Sequence, residues 1–204
     1  MKVCLDLHDF SIVNNRLELL LKLKERFPGF KISLFTVATD ISADWGPFCI
    51  RGDFLKEIKK HLDWIQIIPH GLTHNKELEF CDYDTFKDKI IPAIKDSFDR
   101  DGLPFEKGFC APHWRWSEGV VRALDEEGWW GAVDRNQPNM LSTKKFYRFS
   151  HSLHEPYHES GAEVLKLHGH VYGLKNDLGK CLAGLLKLPQ SAEWHFVTEF
   201  LESR

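Results

Sequence analysis

The chain opens on MKVCLDLHD, an apolar run whose acidic and histidine positions gather toward its end. A short apolar run of this kind reads as a buried strand. NNRLELLLKLKERF follows, with leucines at helical spacing and a stop at Pro28-Gly29. FKISLFTV predicts the next strand, DFLKEIKKHL a short amphipathic helix, and DWIQIIPHG a strand running into a histidine loop. DTFKDKIIPAIKDSFDRDG has helical periodicity, an internal Pro92 and a closing Gly102. KGFCAP reads as a strand, and SEGVVRALDEEG as a helix with Ser117 as N-cap and Gly128 as C-cap. WWGAVD, AEVLKLHGH and EWHFVT predict further strands, with a helix over 175–187.

Strands alternating with helices imply parallel pairing and right-handed crossovers. The expected class is therefore α/β, either a parallel (β/α) barrel or a doubly wound sheet. No repeat, low-complexity tract or Gly/Ser linker interrupts the pattern, so one domain over 1–204 is the simplest organisation. In both architectures function collects at the C-terminal ends of the strands. HD closes the first strand, HGLTH the third, CAPHW the fourth and LHGH a late one. Separate strands thus deliver His, Asp and Trp to one rim.

Composition narrows the function. The 204 residues are 43% hydrophobic and 28% charged, ordinary for a globular protein with a sizeable core. A formal charge of −3 offers no basic face for nucleic acid. No apolar run reaches the ~18 residues a membrane span needs. The N-terminus lacks the basic-then-apolar layout of a signal peptide. The five cysteines form no CxxC pair. Together these features predict a cytoplasmic protein with reduced thiols.

His70 and His74 stand four apart, a spacing that shares one face if the loop is helical. Asp9 at the end of the first strand would supply a carboxylate. Three such ligands with an open position for water define a zinc-like hydrolytic site. Alone, the histidine pair reads equally well as a solvated loop; the other strand ends shift the balance toward a site.

The ordered set of motifs resembles the polysaccharide deacetylase family, carbohydrate esterase family 4 and its divergent relatives. The family's first motif, T-F-D-D-G, lines up with Leu7, His8, Asp9 and Phe10. Its H-[S/T]-x-x-H matches His70-Gly-Leu-Thr-His74, with Gly71 where Ser or Thr is usual. Its R-x-P-[Y/W] is echoed by Cys110-Ala-Pro112-His113-Trp114, and its Leu-His pair by Leu167-His168. The motifs run in family order from about residue 2 to 200.

The resemblance implies a distorted (β/α) barrel and metal-assisted removal of an acetyl group from an N-acetylated sugar, small or oligomeric. Asp9, His70 and His74 would hold one divalent ion, zinc being the first choice. His168 would be the acid that protonates the leaving amine. Pro112, His113, Trp114 and His170 would contact substrate, with a backbone N–H near His113 or Trp114 on the oxyanion.

The family's catalytic base is an Asp where this chain has His8, and the Arg that pairs with that Asp is here Cys110. The two changes are coherent, because an imidazole base needs no neighbouring cation and would be disfavoured by one. His8 then takes one of two roles. Either it is the base, oriented by Asp6 two residues earlier on the same strand face, or it is an additional metal ligand. His170 likewise reads as a ligand, a substrate contact or a rim residue bonded to backbone.

Trp45, Trp114, Trp116, Trp129 and Trp130 are candidates to stack on sugar faces. Trp114 is the first choice, and Trp129 and Trp130 read as core. His151, His154 and His158 read as a solvated loop, and Cys110 as inert packing. Two rival functions stay open: hydrolysis of a non-sugar C–N amide on the same scaffold, and an inactive barrel that binds a glycan or a protein.

Overall fold

The computed structural model describes residues 1–11, 15–38, 40–42, 46–48, 52–136, 141–157 and 161–204. In chain order the elements are β1 (Lys2–Phe10), α1 (Leu17–Arg26), β2 (Ile32–Thr36), β3 (Asp40–Ser42), β4 (Gly46–Phe48), α2 (Gly52–Lys59) and β5 (Ile65–Pro69). Then come α3 (Tyr83–Thr85), α4 (Ile91–Asp101), β6 (Gly108–Phe109), α5 (Glu118–Glu126), β7 (Trp130–Val133), β8 (Lys145–Arg148) and β9 (His151–Ser152). β10 (Val164–His170), α6 (Leu178–Leu185), β11 (Glu193–His195) and β12 (Glu202–Ser203) complete the chain.

One sheet runs β5-β2-β1-β10-β9, all parallel, with β11 beside the first residues of β1. The other runs β12-β8-β7-β6, parallel except for β12. Backbone bonds join the two. On one side the amides of Glu106 and Cys110 donate to the carbonyls of Ile67 and Pro69, at 2.9 and 3.2 Å. On the other the amide of Ser150 donates to Lys166 at 2.9 Å. The result is a distorted parallel β/α barrel.

Alternation along each strand divides the side chains. Val3, Leu5 and Leu7 of β1, Ile32 and Leu34 of β2, and Leu165 and Leu167 of β10 join the outer cluster, packed with Leu20, Leu23, Val120 and Leu124 of the helices. Cys4, Phe35, Ile68, Cys110, Ala132 and Tyr147 form a separate inner cluster. Burial of each outer Leu or Ile is worth about 1.5–3 kcal/mol, so the outer layer carries the stability. The lumen can therefore hold Asp6, His8, His70 and His168, all buried.

Several predicted elements differ in detail. The helix expected around Pro92 is interrupted: α3 passes into a π-turn over Phe86–Ile90 before α4 begins. Pro92 lacks an N–H and crowds the preceding turn, and the wider π-turn just before it accommodates both. The strand expected over EWHFVT ends at His195 and becomes a 3-10 turn, Val197–Phe200. There the amide of Val197 donates to Ser33 Oγ of β2 at 3.1 Å. The expected strand KGFCAP is reduced to Gly108–Phe109. The 175–187 helix begins only at Leu178, capped by Asp177.

Candidate metal centre

β1 delivers His8 and Asp9, and the segment that follows β5 delivers His70, directly after the strand, and then His74. The β1–β2 register shifts between Leu7 and Phe10, and Asp9 takes a φ of 60°. Asp is among the few residues that tolerate this left-handed region. Asp9 Oδ1 lies 3.2 Å from His70 Nε2 and 2.9 Å from His74 Nε2. The loop carrying His74 is not helical, contrary to the simplest reading of the spacing. Gly71, at φ 84°, turns the chain back toward Asp9 instead. A Cβ at Gly71 would sit 2.7 Å from the Thr73 carbonyl and 3.0 Å from Pro112. That contact explains why a Ser or Thr cannot stand there.

The donor set suits a divalent ion. His70 Nδ1 donates to the Cys110 carbonyl at 2.9 Å, and its Nε2 faces Asp9 Oδ1, the atom it would offer to an ion. A ligand histidine whose second nitrogen bonds a carbonyl is the usual outer-shell arrangement of such sites. One carboxylate oxygen and the ring nitrogens of His70 and His74 lie within 4.8 Å of one another. Burial alone would raise the Asp9 pKa, but the hydrogen bonds of His70 and His74 overcome it and hold the carboxyl well below its usual range.

Behind this group lies a second layer. His8 is 2% exposed, with ring centroids 4.8 Å from His70, 4.5 Å from His168 and 5.5 Å from His170. Burial, then the charge of His168, drives its pKa well below the ordinary histidine value. Asp6, expected to orient His8, instead bonds His168: Oδ1 is 2.7 Å from His168 Nδ1 and 3.4 Å from His8 Nε2. Burial would raise the Asp6 pKa, but His168 and His8 outweigh it and bring it to about 2. The register explains the pairing, since Asp6 stands opposite His168 and His8 opposite His170.

A cleft of about 810 Å³ opens over the centre. His8, Asp9, His70, His74, His113, Trp114 and His170 line it, together with Lys76, Arg115, Tyr172, Leu174 and Asn176. His168 does not, because it sits one layer deeper. Pro112, expected at the substrate, also lies outside the cleft and packs under Gly71. The Trp114 amide, a candidate oxyanion donor, is spent on Ala111 at 2.9 Å. His170 faces Asn176 Oδ1 through Nδ1 at 3.2 Å, and burial lowers its pKa to about 4. Lys76, Tyr172, Leu174 and Asn176 carried no signal in the sequence, being loop residues without periodicity or motif.

The remaining candidates fall elsewhere. Trp116, Trp129 and Trp130 are buried in the core. His151 and His154 bond the neighbouring Ser150 and Ser152, and Trp45 and His158 lie outside the described residues. Burial pushes the Cys110 thiol up, keeping it protonated. Among the described residues, no helix is long and apolar enough to cross a membrane.

No protein-family profile matches this chain, and no curated protein does. Solved structures do match. A family 4 acetyl xylan esterase from Clostridium thermocellum, in complex with a cobalt ion, aligns over 98% of this chain and 89% of its own, with a TM-score of 0.60 and 13% identity. A peptidoglycan N-acetylglucosamine deacetylase aligns over 100% and 89%, with a TM-score of 0.61 and 14% identity. A carbohydrate esterase family 4 pseudoenzyme from Bacillus anthracis aligns over 97% and 64%, with a TM-score of 0.57 and 13% identity. The chain therefore has the fold of the carbohydrate esterase family 4 deacetylases, as its motif order implied. That fold is shared by esterases, deacetylases and a protein named a pseudoenzyme.

Proposed function

We propose that the cleft hydrolyses the amide of an N-acetylated sugar, giving acetate and a free amine. The observation that carries this reading is the meeting of Asp9, His70 and His74 on the floor of an open cleft. A nitrogen-rich set with one carboxylate suits zinc first, and cobalt or nickel next. A divalent ion bound there would polarise the acetyl carbonyl and make water acidic enough to attack it at neutral pH.

The chain supplies the proton chemistry. His8, kept neutral by burial, takes the water's proton as general base. Ionised Asp6 compensates a proton on His168. His170, whose ring centroid is 5.0 Å from that of His168, lines the cleft and carries the proton to the leaving nitrogen. Trp114, on the cleft wall, offers its ring to the sugar. The cleft volume fits a small sugar or the end of an oligomer. Cys4, Cys81, Cys110 and Cys181 are free thiols, which supports a reducing, cytoplasmic setting and soluble or nucleotide-linked sugars as substrates.

A second reading, a barrel that binds a glycan without cleaving it, is favoured by the replacement of the carboxylate base by His8 and by the pseudoenzyme that shares the fold. Acetate release separates the readings. The panel is N-acetylglucosamine, chitin oligosaccharides, nucleotide-linked N-acetyl sugars, peptidoglycan fragments and simple acetamides. Turnover of the sugar amides supports the proposal. Cleavage confined to non-sugar amides moves the site to another C–N hydrolase. Metal bound with no cleavage leaves the binder.

A further inference from the structure

We propose that His8, His168 and His170 form a second cation site beneath the Asp9/His70/His74 centre. One ring nitrogen from each of the three lies within 4.8 Å of the others, a spread that modest side-chain movement closes onto one ion. Neighbouring strands fix the set: β1 carries His8, and β10 carries His168 and His170 two residues apart on the same face.

Two further observations point to an ion. His8 Nε2 is buried and makes no hydrogen bond among the described residues, its nearest acceptor being Asp6 Oδ1 at 3.4 Å. His8 is 2% exposed, so this nitrogen has lost water without replacement, a costly state unless something else satisfies it. The second nitrogens are also arranged as ligands require. His168 Nδ1 donates to Asp6 Oδ1 at 2.7 Å, and His170 Nδ1 faces Asn176 Oδ1 at 3.2 Å. In the neutral rings each contact leaves Nε2 open to an ion, His168 through a carboxylate partner and His170 through an amide oxygen. Asp6 then neutralises part of the ion's charge without binding it directly.

All-imidazole ligation selects zinc, cobalt, nickel or copper over magnesium and calcium. The site has no carboxylate ligand and lies deeper, so it fills after the Asp9 centre. An ion held there occupies the imidazoles that the proposed reaction uses for proton transfer. Excess metal therefore inhibits, a consequence that rests on the proposed function, whereas the site itself does not.

The test is cobalt and zinc titration of the chelator-stripped protein, with ions per chain counted after equilibrium dialysis. Wild type is expected to take up about two ions, with two saturable steps in the visible spectrum of the cobalt form. His170→Ala and, separately, His74→Ala should each retain about one, with circular dichroism confirming the fold. A count of one in wild type that vanishes in His74→Ala and persists in His170→Ala overturns the deep site and leaves the Asp9 centre standing. A count lowered by His170→Ala and untouched by His74→Ala supports the deep site and removes the Asp9 centre. The two-step cobalt spectrum needs no variant, and a single step at one ion per chain overturns the proposal even if His170→Ala fails to fold. If turnover persists at two ions per chain, the inhibitory consequence is overturned.

Discussion

His8 and Asp9 are neighbours in the chain, yet both present their side chains to the same cleft. In a regular strand they would point to opposite faces. The register shift at the end of β1 and the left-handed conformation of Asp9 break that alternation. One strand end thus supplies both the proposed anionic ligand and the proposed base.

Asp9→Asn tests the ligand role cleanly. Asn also tolerates a positive φ, so the local backbone is kept while the only carboxylate of the set is lost. Divalent-ion affinity should fall by more than the ~10–100-fold typical of an outer-shell partner, with little change in secondary structure. Elemental analysis of the variant beside wild type reads the result. An unchanged metal content would remove Asp9 from the centre.

Much of this geometry was legible in the residues. Strands β1, β2 and β5 stand out because they are buried on both faces and read as apolar runs, and β10 through its alternating Leu165 and Leu167. Short strands such as β8 and β9 carry no such run and take their place only through pairing. The relation of His168 to His170 is legible in their spacing. Residues two apart share a face and differ in depth by about 6–7 Å, so the histidine nearer the strand's end reaches the rim. The same spacing places Asp6 beside His168 rather than beside the rim. What no local pattern carries is the loop 171–176, whose Tyr172, Leu174 and Asn176 enter the cleft by tertiary placement alone.

Gly71 is where a minimal change should do large damage. Alanine there faces a φ of 84° and a Cβ 2.7 Å from a backbone oxygen. Strain of this kind costs about 1–3 kcal/mol, and relieving it moves the turn between His70 and His74. Gly71→Ala should lower the melting temperature and weaken metal binding together. A variant that melts like wild type and binds metal equally well would show that the turn is not what sets the ligand spacing.

The buried histidines predict acid sensitivity in the metal-free protein. His170 has a folded pKa of about 4 against an ordinary 6.5, and His8 is displaced in the same direction. The unfolded chain therefore binds the extra proton first. Their contribution is complete above the unfolded value and is lost as pH falls from there toward the folded one. For His170 alone the loss is of order 1–3 kcal/mol. Asp6 and Asp9, whose carboxyls are held low, add a further loss only below the ordinary carboxylate range. Denaturant midpoints of the chelated protein should drop between about pH 7 and pH 5, and the drop should shrink in His170→Asn. A flat profile across that interval would contradict the buried, neutral assignment.

His8→Ala separates the base from the ligand. As a base, its loss should leave the Asp9, His70 and His74 set loaded, since none of their polar contacts to one another or to Cys110 runs through His8. Turnover should fall by about 100- to 10,000-fold, the range general base catalysis supplies. The truncation also opens a space at the cleft floor, where His8 is packed against Phe35 and Trp114. Added imidazole can occupy that space, so part of the lost rate should return with imidazole concentration and with the pH dependence of the added base. A purely structural defect would not respond in this way. Loss of the first metal ion in His8→Ala would instead place His8 among that ion's ligands, and the water's proton would have to leave by another group.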